Sequence, residues 1–114
     1  MGKRDDIIEK MIAEAKKLNL TLEDEFISKV TKGLGPVIYN KGTATVACGQ
    51  VDELETVKKN FLKKKLGLTN DDAELDAAIQ EVCVTLGTSN RAKYRVHFYA
   101  LLAIKFNKTD IYDV

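Results

Sequence analysis

The residues with the most capacity for chemistry are basic. Lys58, Lys59, Lys63, Lys64 and Lys65 crowd into one short stretch, and Arg91, Lys93 and Arg95 follow two helices later. Gathered on one surface, such groups would hold the phosphate oxygens of a nucleic acid or a small anion. The competing reading is a solvated helix face with local pairs such as Glu55–Lys59. The net charge of +1 favours that reading, because a nucleic-acid groove reader usually carries more. Arg91 and Arg95 stand one turn apart on the apolar side of their helix. A guanidinium there calls for a carboxylate, since an unpaired buried charge is strongly destabilising. Glu55, Asp76 and Glu81 are the candidate partners, and the alternative is an anion pocket at the helix N-terminus.

Other groups offer less. Gly33-Leu34-Gly35-Pro36 has the glycines of a phosphate cradle but no Lys-Ser/Thr ending and no strand leading into it, so a helix stop and tight turn explain it better. His97, the sole histidine, falls on the polar arc of its helix with Asn90 and Lys93, and reads as a surface residue. Cys48 and Cys83 lie 35 positions apart without a second cysteine near either, and read as two free thiols of a cytoplasmic protein. Cys48 is placed in an exposed loop and Cys83 on a buried stripe. No metal-ligand spacing, carboxylate pair or nucleophile with a base is visible, so no catalytic residue, metal or cofactor is expected. The ligand-binding candidates are polar groups at element ends or on helix flanks. They are Tyr39 and Asn40, Asn60 and Lys64, Asn90 and Arg91 with Tyr94, and Arg95. Brought together, they would form a polar fold-locking network or a small anionic-ligand site.

The elements that must position these residues are helices. Ile7, Ile8, Met11, Ile12, Ala15 and Leu18 recur at three and four, predicting a first helix from Asp5 or Asp6 to about Asn19. Thr21 caps a second, with Phe26, Ile27 and Val30 buried and Gly33 as its stop. Residues 33–50 hold four of the seven glycines and the sole proline, and form the one long irregular stretch. Thr43 to Cys48 alternates too briefly for a strand and would have no partner. Asp52 opens a third helix with Leu54, Val57, Phe61, Leu62 and Leu66 on one face, where Lys58 and Lys65 also fall. Leu75, Ala78, Ile79, Val82, Cys83 and Leu86 stripe a fourth helix, which ends at Gly87. Thr88-Ser89-Asn90 caps the fifth, Ser89 to Phe106. That helix is apolar over most of its girth and therefore central. A last turn at Thr109-Asp110 docks Ile111 and Tyr112. The fold class is all-α, a single domain over 1–114 of about five helices around the C-terminal one.

Composition agrees. With 114 residues, 45% hydrophobic and 31% charged, the chain can bury a core without staples. Residues 1–57 carry 8 basic and 10 acidic groups, net −2, and residues 58–114 carry 10 and 7, net +3. The charged N-terminus reads as no signal peptide, and no window approaches the ~18 apolar residues of a membrane span. The expected location is the cytoplasm. The expected partner is a second copy of the chain, with apolar residues such as Val46, Ile104 and Ile111 as contact candidates; nucleic acid ranks below it, and a membrane is not expected.

Three blocks resemble a known family: GPVIYN (Gly35 to Asn40), LETVKKNFLKKKLGL (Leu54 to Leu68), and TSNRAKYR (Thr88 to Arg95) followed by YALLA (Tyr99 to Ala103). In this order they resemble the bacterial proteins catalogued as domain of unknown function 2853. The resemblance covers nearly the whole chain and implies a bacterial, soluble, all-helical domain. It implies no activity and supplies no site residues.

Overall fold

The structure, a computed structural model, describes residues 3–20, 22–34, 39, 45–87 and 93–112. Helix α1 spans Lys3–Lys17, with Asp5 and Asp6 in the first turn and Lys16 and Lys17 in the last, both matching the helix dipole. Asn19 ends it in the left-handed region at φ 58. The Leu20 amide reaches back to Ala15 O and the Asn19 amide to Lys16 O, which satisfies the last carbonyls. Asn107 ends the final helix in the same way, at φ 55.

Helix α2 is Asp24–Leu34 and buries Ile27, Val30 and Thr31. Gly33 was expected just past its end but lies inside it. A Cβ at this position would sit 3.0 Å from the Tyr112 ring, so the glycine serves a close approach rather than a stop.

Helix α3 begins as an α-helix over Val51–Thr56 and continues as a π-helix over Val57–Lys65. The Leu66 amide donates to Phe61 O, five residues back, at 2.8 Å. The apolar spacing accounts for the wide turn. At about 100° per residue, nine steps would put Leu66 opposite Val57. Widening brings Val57, Phe61, Leu62 and Leu66 to the core together with Lys58, and it turns Lys65, expected on that face, out to solvent.

Helix α4, Asp72–Leu86, buries every residue of its predicted stripe and ends at Gly87, φ 101. Helix α5 is Arg95–Lys105, shorter than expected. Lys93 and Tyr94 are not helical, because this backbone is engaged elsewhere. Thr45 pairs with Tyr94 in an isolated antiparallel bridge, and the Val46 amide donates to Lys93 O at 2.8 Å. The expected cap at Thr88, Ser89 and Asn90 lies outside the described residues.

Helix α5 is central, as predicted. It buries Arg95, Val96, His97, Phe98, Ala100, Leu102 and Ala103, and packs against α1, α2, α4 and the 3₁₀ turn Thr109–Tyr112. Phe61 stacks on Tyr99 with centroids 3.9 Å apart, and Phe26 meets Tyr112 edge-on at 5.8 Å. The fold is all-α, with one contiguous apolar core. No helix among the described residues is long and apolar enough to cross a membrane.

The two cysteines are not free. Cys48 and Cys83 form a disulfide, with Cα atoms 6.1 Å apart. It ties the turn before α3 to the core face of α4, a proximity that a gap of 35 residues could not foretell.

Candidate anion-binding groove

Most of the basic residues read from the sequence are tied to carboxylates. The Lys58 side chain is 5% exposed, and its ammonium lies 3.0 Å from Glu55, 3.1 Å from Asp76 and 3.7 Å from Asp72. These hydrogen bonds, to Glu55 first and Asp76 next, raise its pKa far above the ordinary lysine value. Lys63 takes the other oxygen of Asp72 at 2.7 Å, and the two lysines hold that carboxyl below its usual range. Glu55, read as the partner of Lys59, thus serves Lys58, one position earlier.

Arg95 is also structural in its contacts. Its guanidinium donates to Glu53, to Thr45 O at 3.3 Å and to the Tyr99 hydroxyl at 3.0 Å. The carboxylate is Glu53, not the expected Glu55, Asp76 or Glu81. Those three hold Lys58 and Lys105 instead. Of the other candidates, Tyr39, Asn60 and Lys64 are exposed, the last two on the outer side of α3. Asn40, Asn90 and Arg91 lie outside the described residues.

His97 is not at the surface. It is fully buried, and Nε2 donates to Met11 O at 2.8 Å. Its arc of α5 is covered by α1, which the wheel alone did not reveal. Burial pushes its pKa below the ordinary value, against smaller opposing effects of the Met11 bond and Glu14. Nδ1 has no hydrogen-bond partner among the described residues. Among those residues no cluster of His, Cys, Asp or Glu could hold a metal ion.

What the fold gathers instead is a groove of about 480 Å³, lined by Lys29, Lys32 and Gly33 of α2, Lys65 of α3, and Ile111 and Tyr112 of the 3₁₀ turn. Tyr112 is buried, and burial drives its phenol well above the usual range, so it stays neutral. Lys65 lies over its ring at 5.7 Å. Gly33 gives the ring room against α2. Lys29 is shared with Glu25 at 3.7 Å. Among the described residues no ion pair engages Lys32 or Lys65. The sequence held traces of this groove in the lysines of two helix last turns and in the docking of Tyr112. Nothing in the sequence brought them together.

The family described as "Protein of unknown function (DUF2853)" matches residues 9–110. The chain belongs to this family. The match takes in all three groove lysines and leaves Ile111 and Tyr112 just beyond it. No protein with a curated description matches the chain.

Proposed function

We propose that this DUF2853 protein is a bacterial, cytoplasmic binding protein, one domain over residues 1–114, that takes a small anion in the lysine-lined groove. The observation that supports this reading is a concave surface lined by three lysines and, among the described residues, by no carboxylate. Part of that charge is spent locally. The C-terminal ends of α2 and α3 each contribute roughly −0.5, and Glu25 contributes −1 at the edge. Lys32 and Lys65 stand outside any ion pair among the described residues, which suits a single small anion such as a phosphate group better than a polyanion. Nucleic acid ranks lower on the same reasoning, since Lys58 and Lys63 are already held by Glu55, Asp72 and Asp76. Binding is favoured over catalysis because the described residues of the groove hold no nucleophile–base pair.

The test is a titration of the ¹⁵N-labelled chain with inorganic phosphate, run beside a labelled oligonucleotide. Phosphate should shift the amides of Gly33, Ile111 and Tyr112, and Lys32→Glu/Lys65→Glu should weaken binding at least ~10-fold, the loss of one to two charge-assisted contacts. Shifts at Asn60 and Lys64 instead would return the site to the exposed side of α3. A second reading, assembly with another copy, is supported by the outer face of α4. There Val84 is 63% exposed beside Ala77 and Thr85, and Ile104 of α5 is 44% exposed.

A further inference from the structure

Among the described residues, the segment that the Cys48–Cys83 bond anchors has few other ties. The α-helical part of α3, Val51–Thr56, buries no residue fully, and Gln50 gives it no side-chain cap. Val51 stands 73% exposed. Ahead of it, residues 45–50 are held by buried Val46, by the Val46–Lys93 backbone bond and by the reach of Arg95 to Thr45 O and Glu53. The disulfide is the one covalent tie between this stretch and α4. Its far end, Cys83, sits among Val82, Leu86 and Ile79 on the core face, where a free thiol packs as a small apolar group. Its near end, Cys48, is only partly buried, in a turn. Cys48 is thus the less buried end of the bond, and Cys83 can remain in the core once released.

We propose that Cys48 and Cys83 form a reversible redox latch on residues 45–56, opened by exchange with a dithiol and closed by the reverse exchange with a disulfide, which takes up the two electrons and two protons. A reductant thiolate attacks Cys48 Sγ and the S–S bond breaks. The electron pair leaves on Cys83 Sγ, which takes up a proton. The second reductant thiol then displaces Cys48, which is protonated in turn. The protein gains two electrons and two protons, and the dithiol becomes a disulfide. Opening leaves the core of α2, α4 and α5 intact and loosens the segment that supplies two of the acceptors of Arg95. In a reducing cytoplasm such bonds are transient and sense oxidant, whereas in an oxidising compartment they persist. The latch is independent of the lysine groove, which lies at the other end of α3.

Amide hydrogen exchange on the full chain, oxidised and after dithiothreitol, tests it. Reduction should speed exchange at Val46, Gln50 and Leu54 by about tenfold or more and leave Ile79 and Leu102 unchanged, the pattern of a local opening. Reoxidation should restore protection, and Cys48→Ser/Cys83→Ser should match the reduced pattern and ignore the reductant. Three results would overturn the latch: a disulfide that dithiothreitol opens only in denaturant, unchanged exchange, or uniform acceleration through α4 and α5. Each would make the bond a permanent staple of the fold.

Discussion

Nε2 of His97 donates to Met11 O from a fully buried ring, so charging the ring means adding a proton where water does not reach. Its folded pKa lies below the ordinary histidine value of about 6.5, and the unfolded chain therefore binds the proton more readily. Stability is complete above about 6.5 and is lost as pH falls from there toward the depressed folded value. Carboxylates such as Asp72, lowered by its lysines, act in a more acidic window. Thermal melts from pH 7.5 to 5 should show a falling midpoint in the native chain. His97→Gln keeps an amide donor for Met11 O and should flatten the profile; an unchanged slope would assign it to another group. The sequence showed His97 on a polar arc and stopped there, because periodicity describes one helix and not what covers it. Arg95 shows the converse. Its place on the apolar side foretold a carboxylate partner correctly, while the choice of Glu53 depended on how the start of α3 lies against α5.

At the scale of elements, the stripes of α1, α2 and α4 were legible because each follows the ordinary helical period. The stripe of α3 was seen but its geometry was not. Val57, Phe61, Leu62 and Leu66 are separated by steps of four and five, and the wheel used for reading them assumes 100°. The π-helix reconciles that spacing with burial. Asn60 is exposed within it. Deleting Asn60 would set the four apolar residues at i, i+3, i+4 and i+8, which suits an α-helix. That variant should keep a cooperative urea transition and lose the five-residue bond from Leu66 to Phe61. Collapse of the transition would show that the wide turn is needed for more than spacing. The start of α5 was misplaced for a different reason: Tyr94 is claimed by a backbone partner, Thr45, 49 residues earlier, and local propensity cannot see it.

For the whole molecule, the Cα radius of gyration of 13.2 Å is what a single globule of this length should have, about 13 Å. The all-α class and the central place of α5 were readable because they rest on summed pattern. The groove and the disulfide were not, because each joins elements distant in the chain. If the exposed face of α4 pairs two copies, light scattering should report roughly twice the 12.7 kDa chain mass, and Val84→Glu should return it to one. A single-chain mass across micromolar concentrations would leave Val84 as an isolated surface residue. The cross-link has one more consequence, which appears under load. Drawn out from its two ends, the oxidised chain cannot straighten between residues 48 and 83, so about 120 Å of its contour stays shielded from tension until that bond is cut.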